Sequence, residues 1–248
     1  LMLTLLAGMT IVILLLAGFL SIAGAQPDPD KPPFAGVLLD AEPGQELNLV
    51  TPLNTDVLGP EWRPIFREDF ESPNWEVKWD VNLDFSAAGY KWGTRSVPNS
   101  LDPQSTAVAW AIGGGPNGSG LDPLAPSYPV GVNSWLVAGP LDLSGAKDAL
   151  IDLDLFYEAS GGDPFTVAVS EDRFQFTPQF TVNEDVNKGD GQWAQKTVSL
   201  ASFIGKPQIW IAFTFESGNS TSKLGALMDN VSVWLEGAPG PYLPITSY

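Results

Sequence analysis

Between residues 66 and 235, apolar and polar residues alternate with a period of two, the pattern of strands that bury one face. Residues 151–155 alternate strictly, and Phe165–Ser170 does the same. Residues 208–215 place four apolar side chains on one face. Outside the N-terminal segment, no window repeats apolar residues every 3.6 positions, as an amphipathic helix would. The alternation therefore predicts an all-β domain.

Turn-forming residues divide this region into short strands. Clusters of Gly, Pro, Asn and Asp separate the alternating runs. Besides the three runs above, strands are predicted at residues 66–70, 75–81, 107–112, 134–138, 193–200 and 226–234. A chain with eight or more strands over roughly 170 residues can close two packed sheets. We therefore predict a two-sheet antiparallel sandwich, or jelly roll, over residues 61–236, followed by a C-terminal tail at 237–248.

The first 25 residues carry no charge and consist mainly of Leu, Ile, Val, Met and Ala. A helix of about 20 apolar residues suffices to cross a bilayer core. The sequence Ala23-Gly-Ala25 also matches the small-residue pattern before a signal-peptidase cut. Residues 1–25 therefore predict an N-terminal transmembrane anchor or a cleaved signal helix. In both cases the rest of the chain is expected outside the cytoplasm, membrane-anchored if the segment is retained and secreted if it is removed.

Residues 26–60 are predicted to form an extended tether. The run from Gln26 to Pro33 is rich in Pro and Asp, which favours a stiff, extended chain. Two short apolar patches, at 37–39 and 47–50, interrupt it. Either patch could dock on the folded domain or on a partner.

Charge and composition limit the chemistry available. The chain has 29 acidic and 12 basic residues, a formal charge of −17, which disfavours nucleic acid as a partner. It has no His and no Cys, so His-dependent triads, thiol catalysis and the usual zinc sites are excluded. We therefore expect a protein that is not an enzyme. A carboxylate-dependent hydrolase is the least favoured alternative, because Asp152 and Asp154 fit solvent-facing strand positions better than a catalytic pair.

Short segments resemble a known family. Arg67-Glu-Asp-Phe-Glu71 followed by Trp75 resembles the opening of MAM-like and "choice-of-anchor" jelly rolls. Residues 141–144, 163–171 and 229–233 are similar to later segments of that family, in the same order. The same sandwich accompanies immune-inhibitor-A-type peptidases as a non-catalytic domain. This chain lacks the cysteines of MAM domains and the HExxH motif of the peptidases, so the resemblance implies a fold and not protease activity.

The resemblance also implies a structural calcium site. Family members often bind Ca²⁺ where the first strand meets the last. At the matching positions this chain has Asp69, Glu71 and Asp229, and Glu158 with Asp163 forms a second candidate cluster. Carboxylates together with backbone carbonyls can supply the oxygen ligands that Ca²⁺ needs. The alternative is that these residues are ordinary polar side chains at strand ends.

Aromatic residues are candidates for an interaction surface. All nine Trp residues fall between positions 62 and 234. Trp210 and Trp234 lie on the opposite strand face from the apolar residues beside them, so at least one is expected to be exposed as an interface anchor. Exposed Trp can also stack on sugar rings.

These observations leave three functional hypotheses. The first is a membrane-tethered accessory or structural subunit of a larger bacterial membrane complex, for example a respiratory or photosynthetic one, with protein partners. The second is a secreted carbohydrate-binding or adhesin-type module, with a glycan partner. The third is the carboxylate-dependent hydrolase.

Overall fold

The computed structural model describes most of the folded region and part of the tether. The described residues are 34–40, 49–50, 59–97, 107–125, 128–160, 162–182, 191–218 and 223–237. Within these ranges, no helix is both long enough and apolar enough to cross a bilayer. The predicted N-terminal helix at residues 1–25 lies outside them, as does the predicted tail at 237–248 apart from Gly237.

Thirteen strands, one short α-helical turn and two 3₁₀ turns make up the described fold. The strands are β1 (Val37–Leu38), β2 (Leu49–Val50), β3 (Trp62–Glu68), β4 (Val81–Asp84), β5 (Lys91–Arg95), β6 (Val108–Gly114), β7 (Asn133–Leu141), β8 (Asp148–Glu158), β9 (Phe165–Ser170), β10 (Gln175–Val182), β11 (Trp193–Ser199), β12 (Ile209–Glu216) and β13 (Gly225–Glu236). The α-helical turn α1 (Gly115–Gly118) follows β6, and 3₁₀ turns occupy Trp75–Lys78 and Ala201–Phe203.

The strands form two sheets that enclose one main core. The first sheet has six strands in the order β1-β10-β9-β12-β7-β4. The second has the order β2-β11-β8-β13-β6-β5, and β3 pairs with β13 as its seventh strand. Phe165 and Phe213 of the first sheet belong to the same buried cluster as Leu153 and Val233 of the second. The predicted all-β sandwich is therefore confirmed.

The tether contributes an edge strand to each sheet. β1 pairs with β10, and β2 pairs with β11. Both apolar patches of residues 26–60 thus dock on the domain. The β1–β10 pair is parallel, whereas the sequence predicted a purely antiparallel sandwich.

The predicted strand at residues 75–81 is wrong except at its last residue, Val81. Trp75 and Trp79 are buried, whereas Val77 is 72% exposed. A spacing of four between buried residues fits a helical turn and not a strand, in which residue 77 would share their face. The chain turns through Trp75–Lys78, and the strand begins at Val81.

A bulge in the last strand creates an irregular place in the second sheet. The first part of β13 pairs with β6 through Leu227 and Met228, and the part from Val231 onward pairs with β3. Between them, the register against β8 shifts from Asp229 to Ser232. Asn230 has a φ of 50°, a left-handed conformation that Asn tolerates better than most residues. Bulges of this kind often lie beside functional sites.

Candidate functional site

A surface pocket of about 280 Å³ lies beside this bulge. Its walls come from β3, the 3₁₀ turn at Trp75–Lys78 and β13. The lining residues are Arg67, Glu68, Asp69, Lys78, Asn230, Val231, Ser232 and Trp234. We call it the Trp234 pocket.

Trp234 and Arg67 form its aromatic wall. The guanidinium carbon of Arg67 lies 4.8 Å from the Trp234 ring centroid, a cation–π distance. The indole Nε1 of Trp234 donates to Ser232 Oγ at 3.1 Å. Trp234 is therefore buried, with 8% of its surface exposed, and is not the exposed anchor that the strand alternation suggested, because Arg67 covers a face of its ring. Trp234 is part of neither buried apolar cluster among the described residues.

Glu68 and Lys78 form the floor of the pocket. The Glu68 side chain has no exposed surface, and Lys78 Nζ lies 3.2 Å from its Oε2. Its Oε1 accepts the Phe70 amide at 2.8 Å. Lys78 also donates to the backbone carbonyl of Arg67 at 3.0 Å. The 3₁₀ turn brings Lys78 to this position, so the error in predicting a strand there also hid this pocket residue.

Several polar groups of the pocket keep bonding capacity. Among the described residues, the Arg67 guanidinium donates no hydrogen bond, and Asp69 uses only Oδ1, to accept the Glu71 amide. Ser232 Oγ accepts from Trp234, which leaves its own proton available. Asn230 donates through its amide nitrogen to Asp154 at 3.0 Å, which leaves its carbonyl oxygen available. The pocket thus offers both donors and acceptors next to an indole.

The first predicted calcium cluster lies around the pocket but does not close into one site. Asp69 lines the pocket, and Asp229 is buried one residue before Asn230, whose amide donates to its Oδ1. Glu71 Oε1 accepts the Ala107 amide at 3.0 Å. Within the described ranges, no three Asp or Glu side chains gather as a metal site would require. Calcium binding here stays a prediction, which thermal melts with added Ca²⁺ and with EDTA would test.

In the second predicted cluster, the Asp163 carboxylate is engaged in protein contacts. Asp163 is fully buried, and its two carboxylate oxygens accept the Tyr128 hydroxyl at 2.8 Å and the Gly218 amide at 2.7 Å. Burial raises the pKa of Tyr128 to about 12, and the neighbouring Asp163 acts in the same direction. Glu158 ends β8, opposite Gly225 of β13. The Asp163 carboxylate therefore links Tyr128 and Gly218 through hydrogen bonds.

The pair Asp152 and Asp154 differs from the expected solvent-facing alternation. Asp152 is 7% exposed and accepts hydrogen bonds from Thr197 at 2.7 Å and Gln195 at 2.8 Å. Burial raises the pKa of Asp152, whereas both hydrogen bonds lower it. Both carboxylates are held by neighbouring strands, because Asp154 accepts from Asn230.

Trp210, the other predicted interface residue, lies on the first sheet. Its neighbours Ile209 and Ile211 face the main core, whereas Trp210 is half-buried against a separate apolar cluster on the outer face. The two Trp residues thus mark different surfaces, one on each sheet.

No protein-family model matches the chain, and no curated protein matches it in sequence. The MAM-like resemblance therefore extends only to the jelly-roll sandwich and not to the family. Among solved structures, the chain is similar to the K1 cleaved adhesin domain of Lys-gingipain from Porphyromonas gingivalis W83, at 19% identity and a TM-score of 0.46, covering 71% of this chain and 98% of that one.

Two structures from Clostridium thermocellum are also similar. One contains the CBM22-1 and GH10 modules of endo-1,4-β-D-xylanase 10B complexed with xylohexaose, at 14% identity and a TM-score of 0.42; the match covers 73% of this chain but 30% of that one. The other is the family 11 carbohydrate-binding module of the cellulase Lic26A-Cel5E, at 16% identity and a TM-score of 0.39, covering 73% and 97%. At such identities, the similarity is one of fold alone.

Proposed function

We propose that this protein is an exported, non-catalytic recognition module that binds a glycan in the Trp234 pocket. The observation that carries the proposal is the pairing of an indole with uncommitted donors and acceptors in one concave site. Sugar hydroxyls both donate and accept hydrogen bonds, and the C–H faces of a sugar ring are apolar. A pocket with one aromatic wall and convergent polar groups suits both features.

Each part of the pocket has a distinct role in this proposal. Arg67 supplies donors to ring or hydroxyl oxygens, and Asp69 accepts from a hydroxyl. Ser232 accepts from the indole Nε1 at the edge of the Trp234 ring, and its own hydroxyl proton can be donated to a sugar hydroxyl there. The buried Glu68 carboxylate, paired with the exposed Lys78, forms the floor. The absence of His and Cys agrees with a binding role.

The test compares two single-charge variants of the full chain in mild detergent. R67A removes the cation that covers Trp234, and K206A removes an exposed cation whose Nζ lies 2.8 Å from Glu171, away from the pocket. Binding to a panel of neutral and acidic oligosaccharides is measured by affinity electrophoresis and calorimetry. We expect R67A to weaken binding at least tenfold, about 1.4 kcal/mol, and K206A to leave it unchanged.

Two results would overturn the proposal. The first is a wild-type chain that binds no member of the panel although it melts cooperatively. The second is an equal affinity for R67A and K206A, which would place the glycan on another surface.

A second candidate function is favoured by the uncharged run at residues 1–25. In this hypothesis the run is retained as an anchor, and the sandwich serves as the outer part of a subunit in a membrane assembly. The protein would then stay in the membrane fraction after a carbonate wash, and protein partners would copurify in mild detergent. A mature N-terminus at Gln26 in a soluble fraction would instead indicate a secreted module.

A further inference from the structure

The outer face of the first sheet carries its own small apolar core. Trp135, Val137, Ala168, Phe176 and Ala212 are buried there, apart from the main core between the sheets. The outer face of a sheet in a sandwich is ordinarily polar and solvated. An apolar cluster on it therefore needs a cover.

The cover is the segment 34–39, and Phe34 is its anchor. The Phe34 ring centroid lies 5.6 Å from Phe85, 6.0 Å from Trp135 and 6.0 Å from Phe176. The guanidinium carbon of Arg173 lies 5.4 Å from the same ring. Arg173 in turn pairs with Asp80, with 2.5 Å between Nε and Oδ2. Three rings and a fixed guanidinium thus form a cage around one side chain.

The rest of the segment is held by backbone pairing at the sheet edge. The Val37 amide donates to the Phe174 carbonyl at 2.6 Å, and the Leu39 amide donates to the Phe176 carbonyl at 2.8 Å. Leu38 packs on the apolar cluster, whereas Val37 is 57% exposed and Leu39 38% exposed. The segment is therefore bound as a peptide is bound by β-strand addition: backbone bonds to an edge, with alternate side chains in pockets.

Gly36 makes this geometry possible. A Cβ at position 36 would lie 2.5 Å from the Phe34 ring and 3.2 Å from the Phe176 ring. A larger residue at position 36 would therefore push the Phe34 ring away from the β1–β10 pair. Gly59, by contrast, has nothing within 4 Å of a built Cβ.

We propose that the edge of β10 and the aromatic cage form a peptide-docking groove, which residues 34–39 occupy in cis. Its ligand is an extended apolar peptide with a Phe two residues before a Gly and an aliphatic strand after it. The cis segment competes with such a peptide at a high effective concentration. A protein whose groove is filled by residues 34–39 therefore binds a separate peptide weakly. The groove lies on the first sheet and the Trp234 pocket on the second, so neither proposal depends on the other.

The test uses the full chain and a labelled hexapeptide with the sequence of residues 34–39. F34A empties the cage, and Gly36→Val forces the segment out by a separate route; Gly59→Val is the matched control. By fluorescence anisotropy, we expect both groove variants to bind the peptide at least tenfold more tightly than the wild type and the control. The same peptide with Ala in place of Phe should bind none of the four proteins.

Circular dichroism and cooperative melting establish that each variant is folded. Equal affinity of the labelled peptide for all four proteins would overturn the proposal. An Ala peptide that binds the groove variants as tightly as the Phe peptide does would also overturn it. A wild-type dimer that F34A converts to a monomer would show that the segment is exchanged between copies, and the cis assignment would fail.

Discussion

At the residue scale, the buried carboxylate of Asp163 joins two loops to the end of the sandwich. Besides the Tyr128 and Gly218 contacts of its side chain, its backbone carbonyl accepts the Tyr157 hydroxyl at 2.5 Å. The Tyr128 hydroxyl also accepts the Ser160 amide at 2.7 Å. A buried carboxyl group of this kind is tolerated only when its oxygens are hydrogen-bonded.

Y128F should therefore destabilise the fold by about 1–3 kcal/mol, because it leaves a carboxylate oxygen and the Ser160 amide without this partner. Y90F is the control: Tyr90 packs on the core, and its hydroxyl makes no hydrogen bond among the described residues. Its cost should stay within about 0.5 kcal/mol. Urea unfolding measures both, and equal costs for the two variants would contradict this role of the network.

Asp152 should make stability depend on pH. Because burial raises its folded pKa, the unfolded state ionises first as pH rises above about 3.9, the ordinary aspartate value. The contribution of Asp152 to stability is therefore largest at low pH and falls as pH rises through the folded pKa. The free energy of unfolding of the wild type minus that of D152N should decrease over this window. Exposed Asp142 gives the control D142N, and a difference for D152N that stays constant with pH would refute the expectation.

At the scale of elements, the bulge in β13 shapes the Trp234 pocket. It changes the partner of the strand from β6 to β3 and turns Asn230 toward Asp154. N230G and N230A lose the same side-chain bonds, but only Ala meets a steric penalty at a φ of 50°. N230A should be less stable than N230G by about 1 kcal/mol. Equal melting temperatures would show that the bulge relaxes at no cost.

The sequence predicts the central strands well and the edges poorly. Strict alternation located β8, β9 and β12 because each has one face in the main core. It missed β10, where Phe176 faces outward, Phe180 faces inward and a register shift lies between Pro178 and Phe180. It reached only the first residue of β4 and gave no sign of β5; both strands are short and contain polar residues.

The candidate site is predictable only in part, for a related reason. Arg67 and Asp69 lie in a recognisable motif, and Trp234 stands out from the alternation of the last strand. Lys78 reaches the pocket through a 3₁₀ turn, and Asn230 through a bulge. Neither feature has a period that a sequence pattern reveals, because both depend on how distant strands meet.

At the scale of the whole molecule, the two sheets present different outer surfaces. The second sheet has a small polar pocket with an indole wall, and the first has an apolar groove filled by residues 34–39. The same N-terminal segment then supplies β2 to the edge of the second sheet.

If the Trp234 pocket binds a glycan as proposed, the overall charge of −17 should affect which glycans it attracts. The pocket itself is balanced, because Arg67 and Lys78 face Glu68 and Asp69. The negative field of the surrounding protein repels anions over about one Debye length. This length is about 30 Å at 0.01 M salt and about 8 Å at 0.15 M salt.

A neutral oligosaccharide should thus bind with an affinity that changes less than about twofold between these two salt concentrations. A uronate or sulfated chain should bind more weakly at low salt than at high salt. Calorimetry at the two salt concentrations measures both, and an anionic glycan that binds best at low salt would show that Arg67 and Lys78 dominate the local field.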